Sequence, residues 1–261
     1  MITKIGITER GDATLDTSWF DTLSKKNPVI AITKNVALLD DELSKRFTFY
    51  DKLPLEVHAT ITGYGGTVIE PNVPDYKKSC KGLIDLKIPN EAKVLRIDPV
   101  IPIDAGILMF RDVLDFFSKE SVKLSSPCVP REIRVSFIDA YDHVRKRFNK
   151  IGYSQVIQWD GINAPLDIRN RYFNEMLKIK NSYSIFKNVP LVTCGEPGMT
   201  TNIGCVSKSD IDYFCKILHD NVAEYSVFNN QRESCQCCSL KYELLSNKVQ
   251  CPHHCLYCYW N

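Results

Sequence analysis

The sequence predicts an α/β fold, a partial (β/α)6 TIM-like barrel, from two features of its patterning. Six short runs rich in β-branched residues recur, each followed by a polar loop and then a stretch whose apolar residues fall at helical spacing. That alternation is expected of a parallel sheet wrapped by helices. The runs are nearly continuous in apolar character rather than alternating, as strands buried on both faces are. At 261 residues, 44% hydrophobic and 25% charged, the chain can bury one sizeable core.

The expected strands are KIGI (4–7), VIAIT (29–33), VHATIT (57–62), VLRID (94–98), IRVSFI (133–138) and PLVTC (190–194). Between them, TSWFDTLSKK reads as a helix whose first turn Asp16 or Thr17 would cap, and ILMFRDVLDFFSKES as a longer amphipathic one. The region 154–188 reads as an aromatic-bearing loop followed by a helix around RYFNEMLKIK. Reactive groups of such sheets gather at the carboxyl ends of the strands. Here those junctions are TERGD, KN, GYGG, PV, DAYDH and GEP, each polar or glycine-bearing. After the fifth strand, Asp139, Tyr141, Asp142 and His143 form the best substrate-facing set, with Tyr141, Asp139 and His143 as the catalytic candidates.

A net charge of +2 provides no overall drive toward nucleic acid, although it does not exclude a local basic groove. The amino-terminal MITKIGITERGD lacks a signal peptide's apolar run, and nowhere do about 18 apolar residues follow one another. A soluble, cytoplasmic protein without membrane contact is expected.

Of eleven cysteines, an odd count that excludes full pairing, six (Cys235, Cys237, Cys238, Cys251, Cys255 and Cys258) fall between 235 and 261. That clustering indicates metal. The chain therefore divides into a barrel over 1–230 and a cysteine-rich tail over 231–261 packed on the barrel mouth, together one globular unit. Cys251, Cys255 and Cys258 form C-x-x-x-C-x-x-C, a spacing that suits three thiolates on one corner of an iron–sulfur cube. A structural zinc wants four ligands, which His253, His254 or an upstream cysteine would complete. Cys80, Cys128 and Cys215 are singletons read as packing residues, with Cys128 the one candidate hydrogen donor.

CPHHCLYCYWN resembles the defining motif of the radical S-adenosylmethionine (radical SAM) superfamily, including the aromatic Tyr257 before the last cysteine. It also resembles the carboxyl-terminal C-P-H-G-C-L-Y-C-Y signature of a little-characterised bacterial and phage family. The likeness extends through ITGYGGTVIEPNVP, VLRIDPVIP, VSFIDAYDHVRKRF and the spaced TCGEP and GC of 193–205, and so over most of the chain. The third and fourth strands are similar to spore photoproduct lyase, a radical SAM enzyme that repairs a thymine dimer. Two departures stand out. The cysteine loop that relatives carry after the first strand is here the cysteine-free TERGD, so the tail must deliver the cluster, and His254 stands where relatives have glycine.

The resemblance implies a [4Fe-4S] cluster on Cys251, Cys255 and Cys258 whose open iron binds S-adenosylmethionine. Reductive cleavage would yield a 5′-deoxyadenosyl radical, with a reductant such as flavodoxin or ferredoxin. It further implies adenine contact beside Tyr257, carboxylate pairing by Arg96 or Lys34, ribose contacts by Thr62 or Glu196, and a role for Glu70. Arg96 and Asp98 read equally as a strand-end ion pair. Relatives match Cys194, Cys205, Cys235 and Cys237, a set for an auxiliary iron–sulfur cluster or a zinc ion. The substrate implied is a nucleobase, free or in a polymer. For a polymer, RKRF (145–148) with Arg169 and Arg171 would contact phosphate, although such a run is otherwise a solvated helix face. Two other readings stay open: a non-catalytic zinc-binding module for nucleic acid or protein, and a barrel enzyme with a structural zinc and a base such as His58 or His143.

Overall fold

The computed structural model describes residues 1–227, 236–245 and 251–259. Its centre is one curled, all-parallel sheet of the partial-barrel class. The strands are β1 (Ile5–Ile7), β2 (Val29–Thr33), β3 (Leu55–Thr60), β4 (Lys93–Val100), β5 (Glu132–Phe137), β6 (Leu191–Cys194), β7 (Asn202–Ile203) and β8 (Lys241–Glu243). They lie in the order β7-β6-β5-β4-β3-β2-β1-β8. The helices are α1 (Phe20–Ser24), α2 (Val36–Arg46), α3 (Tyr76–Asp85), α4 (Asp104–Ser121), α5 (Asp142–Lys150), α6 (Leu166–Ser182) and α7 (Lys208–Leu218). Among the described residues no helix is long and apolar enough to cross a membrane.

The six expected strands are β1 to β6; β2 matches its expected bounds and the others differ by one or two residues at their ends. The two short edge strands were not expected, since two or three residues carry no periodicity to read. β8 pairs with β1 from Ile5↔Lys241 to Ile7↔Glu243, so the tail segment contributes a strand to the sheet itself. Neither Asp16 nor Thr17 caps α1, which begins later, at Phe20; Asp16 instead accepts the Ser18 N–H at 2.9 Å in the preceding turn.

The strands are buried on both faces, but the two faces differ in chemistry. Leu55, Val57 and Ala59 of β3, Leu95 and Ile97 of β4, and Ile133 and Val135 of β5 join the core that includes Leu83, Phe110, Leu114 and Met176 of the helices. Because successive side chains point to opposite faces, the alternate positions share the concave side. These are Glu56, His58, Thr60, Arg96, Asp98, Glu132, Arg134 and Ser136. Apolar residues between them mask the alternation, which explains why the runs read as uniformly apolar.

Charged groups so deeply buried must be paired. At the amino ends of the strands, Arg131 donates to both Glu56 oxygens, at 2.6 and 3.2 Å, and Arg134 donates to Glu132 and to Asp210 of α7. Asp210 also accepts the Ser207 N–H at 2.7 Å, which closes the capping box of α7. Burial alone would raise the Asp210 carboxyl, but Arg134 and Arg131 hold it well below the usual carboxylate range. His58, bonded through Nε2 to Glu56 at 2.6 Å, is driven well below the usual imidazole range by burial and by Arg134. It is a neutral part of this floor rather than the solvent-facing base that an acid/base barrel enzyme would need.

Two outcomes follow for stability. Arg134→Leu, which leaves the buried Glu132 without its arginine and Asp210 with Arg131 alone, lowers unfolding free energy in urea by about 3–5 kcal/mol. Folded His58 cannot take up the proton that the unfolded imidazole binds near pH 6.5, so its contribution is present above that pH and lost below it. Wild type therefore loses up to about 1.4 kcal/mol per pH unit relative to His58→Gln as the pH falls below about 6.5. Parallel urea titrations of the two proteins show a constant difference if the floor does not hold His58 neutral.

Candidate functional site

At the carboxyl ends of the strands lies a cavity of about 320 Å³. Every strand from β1 to β6 supplies a polar or reactive side chain to it at or near its end: Glu9 and Asp12, Lys34, Thr60, Arg96 and Asp98, Ser136 and Asp139, and Cys194 and Glu196. The tail forms the remaining wall with Cys251, His253, Cys255, Tyr257, Cys258 and Tyr259. The thiols near the chain's end thus face the same space as the strand ends.

Two buried carboxylates hold the tail there. Asp12, from the loop after β1, accepts from the Lys34 backbone N–H at 2.7 Å and from the Thr33 hydroxyl at 2.7 Å, and its second partner group is His253 Nε2 of the tail at 3.0 Å. Burial would raise its carboxyl, but His253 and these donors keep it below the usual range. Glu70, from the loop after β3, accepts from Thr62 at 2.6 Å, from the Lys34 ammonium at 2.9 Å and from the Tyr257 hydroxyl. Backbone contacts complete the seat. Asn72 donates to Pro252 O at 2.7 Å, Leu256 N–H donates to Ile69 O at 3.0 Å, and Arg147 donates to the carbonyls of Leu256 and Cys258 at 2.8 and 2.9 Å.

These partners define what the candidate residues can do. Lys34, Thr62 and Tyr257 are engaged by Glu70, and the Lys34 ammonium lies 5.3 Å over the Tyr257 ring. Arg96 donates to Asp98, which also accepts from Ser136, while the buried Arg96 Nε has no partner among the described residues. The ion pair expected at this strand end is present, and the guanidinium keeps a buried donor. Glu196 accepts the Phe137 N–H at 2.6 Å and Arg169 Nη1 at 2.9 Å, and burial raises its carboxyl to about 7. Asp139 and Tyr141 line the cavity, and Asn163 donates to Asp139 at 3.0 Å. His143 stacks on Tyr141 with ring centroids 5.6 Å apart, and Tyr259 meets both rings edge-on.

Several expectations change. Cys128 lies in the loop leading into β5, at the far end of the sheet from the cavity, buried with its sulfur 3.6 Å from Lys93 Nζ. It is a packing residue, out of reach of the cavity as a hydrogen donor. Arg169 is buried against Glu196, while the half-buried Arg145 and Arg147 hold the Gly161 carbonyl and the tail; Lys146 and Arg171 of the expected basic patch are exposed. Cys194 and Cys205 line the cavity with their sulfurs 3.7 Å apart, and Cys237 accepts the Cys205 N–H at 3.3 Å; Cys235 lies outside the described residues. The sequence did not single out Asp12 or Glu9, and it placed Arg147 in a basic run rather than against the tail. The polar TERGD junction was the one signal for the first two.

The chemistry of the tail thiols bears on metal. Burial pushes the Cys255 thiol up to about 12 against the nearby Lys34 charge, and burial raises Cys251 as well. Thiols that face one polar cavity become ligands once a cation displaces their protons. Both ring nitrogens of His253 are occupied, Nε2 by Asp12 and Nδ1 by the Asn72 carbonyl at 3.2 Å.

Replacing a clasping carboxylate tests the seating. Glu70→Gln and Asp12→Asn each raise amide hydrogen exchange in residues 251–259 at least about tenfold, with β3 to β5 unchanged. Equal protection in the variants means that other contacts hold the tail.

A family model described as Domain of unknown function (DUF1848) matches residues 23–260. No curated protein and no solved structure matches the chain.

Proposed function

Taking as premise that the chain belongs to the DUF1848 family, we propose that it is a radical SAM enzyme acting on a nucleobase, free or within a nucleic acid. The observation that carries this reading is the presence of all three thiols of C-x-x-x-C-x-x-C in one cavity with the strand ends of a parallel sheet. Cys251, Cys255 and Cys258 would hold a [4Fe-4S] cluster, and S-adenosylmethionine would share the cavity. When bound, that pair supplies one-electron cleavage of the sulfonium and a carbon radical able to remove a substrate hydrogen.

The chain's own residues prepare the space. Arg96 Nε is a buried donor without a partner among the described residues, at 8% residue exposure, and an acceptor such as a carboxylate placed against it would satisfy it. Glu70 fixes the position of Lys34 and Tyr257, so the aromatic residue before the last cysteine cannot swing out of the wall. Asp139 and Tyr141, which line the cavity on the β5 side, would face substrate, with His143 and Tyr259 backing the tyrosine ring. Occupation of both His253 nitrogens weighs against a tail zinc that uses this histidine as fourth ligand, and favours a three-thiol centre with an open position.

The test is iron and acid-labile sulfide content on protein purified without oxygen, then reduction with dithionite in the presence of S-adenosylmethionine and assay for 5′-deoxyadenosine. About four irons per chain are expected at this centre, with 5′-deoxyadenosine formed by the wild type and absent from Cys255→Ala. Protein that holds no iron and forms no 5′-deoxyadenosine would sink the reading.

A further inference from the structure

Two thiols of the cavity lie outside the tail motif. Cys194 ends β6 and Cys205 follows β7, strands that pair side by side in the sheet, and both side chains line the cavity wall. Their sulfurs are 3.7 Å apart. The Cys205 thiol donates to Glu9 Oε1 at 3.1 Å, so the hydrogen between the two sulfurs belongs to Cys194. The result is a short relay from Cys194 through Cys205 to a carboxylate. Behind it, the Lys241 ammonium donates to Glu9 and lies 3.8 Å from Cys237 Sγ, so a positive charge is already in place there. The backbone wedges one thiol and gives the other room. A Cβ on Gly204 would lie 2.5 Å from the Gln236 carbonyl oxygen and 2.8 Å from Cys237 Cα, so only glycine lets the chain before Cys205 come so close to the segment before β8. Cys194 is followed by Gly195 at a φ of 73°, where a Cβ would meet nothing within 4 Å.

We propose that Cys194 and Cys205 are a redox-active dithiol, which closes to a disulfide by reducing a small-molecule disulfide admitted to the cavity. A disulfide holds its sulfurs about 2.05 Å apart, so closure brings the pair together by about 1.7 Å from its present 3.7 Å. Side-chain rotation and the open space at Gly195 supply that movement. Cys205 attacks first, because its proton has an acceptor in Glu9. Its sulfur bonds to one sulfur of the incoming molecule, the bond between that molecule's two sulfurs breaks, and the departing thiolate takes up the proton that Cys205 lost. Cys194 then attacks the Cys205 sulfur. The mixed disulfide breaks, and the second thiol leaves with the Cys194 proton. Two electrons pass from the cysteines to the incoming disulfide, which is released as two thiols. A cavity of about 320 Å³ suits a low-molecular-weight partner. Neither cysteine belongs to the tail motif, so the exchange is independent of a metal held there.

The experiment uses the full chain and Cys255→Ala, both purified reduced and without oxygen, with bis(2-hydroxyethyl) disulfide as the probe. After acid quenching and alkylation of the remaining thiols, peptide mass spectrometry is expected to find Cys194 joined to Cys205 in both proteins, with two molecules of 2-mercaptoethanol released per bond. Cys194→Ser stops at the mixed disulfide, which accumulates on Cys205. Cys205→Ser leaves Cys194 unmodified over the same time, and Glu9→Gln slows the first step at least about tenfold. Wild-type amide exchange in β3 to β5 checks that the variants are folded. Recovery of both cysteines alkylated after exposure to the probe overturns the proposal, as does protection of both by bound metal. So does either cysteine joined to a different one, or a mixed disulfide that forms on Cys194 in Cys205→Ser as fast as on Cys205 in Cys194→Ser. The assay needs neither S-adenosylmethionine nor a one-electron reductant, so its failure is separate from failure of the tail centre.

Discussion

Two carboxylates buried among strand ends, Asp12 and Glu70, constrain everything above the sheet. A carboxylate removed from water and left without partners costs several kcal/mol, and each of these is satisfied partly by the barrel and partly by the tail. Asp12 takes donors from the β2 end and from His253; Glu70 takes donors from the β2 and β3 ends and from Tyr257. The barrel mouth is therefore electrostatically incomplete until residues 251–259 close on it. The same contacts aim the tail thiols inward, so tail anchoring and site assembly are one event.

Below the mouth, the concave face repeats the logic in layers. Glu56, Glu132, Asp210, Arg131 and Arg134 form a closed floor in which every acid meets an arginine. Above it, Arg96 pairs with Asp98 but retains one unsatisfied nitrogen. The floor also keeps two buried nitrogens without partners among the described residues, Arg131 Nε and His58 Nδ1, but only Arg96 lines the cavity and so can offer its donor to a ligand there. Glu196 is bound by Arg169 and the Phe137 N–H, and its part is to shape the cavity wall.

The edges of the sheet pose a separate problem. A parallel sheet that does not close leaves unpaired backbone at its margins, and here β7 and β8 are too short to bury much apolar surface. Polar contacts do that work instead. Glu9, Lys241, Cys205 and Cys237 link the β1 and β8 side to the β7 side, and Gly204 permits the approach. Five cysteines line the one cavity, Cys251, Cys255 and Cys258 from the tail and Cys194 and Cys205 from the β6 and β7 side.

By itself the sequence determined the parallel α/β class, the positions of β1 to β6, the long helices α4 and α6, and the polar character of the strand-end loops. All of these rest on local periodicity and composition, which act within about ten residues and so are legible in the chain. Burial on both faces was legible too, but the charged concave face was not, because apolar neighbours concealed Glu56, His58, Arg96 and Arg134. Cys251, Cys255 and Cys258 were found by spacing, whereas their neighbours were not. Asp12 and His253 are 241 residues apart, and Glu70 and Tyr257 are 187. Only the tertiary structure decided that Arg147 secures the tail, that Arg169 is buried, that Cys128 lies at the wrong end of the sheet and that Glu9 meets Cys205. Each is a pairing forced by removal of charge or hydrogen-bonding groups from water, and which partner is nearest is a property of the folded sheet.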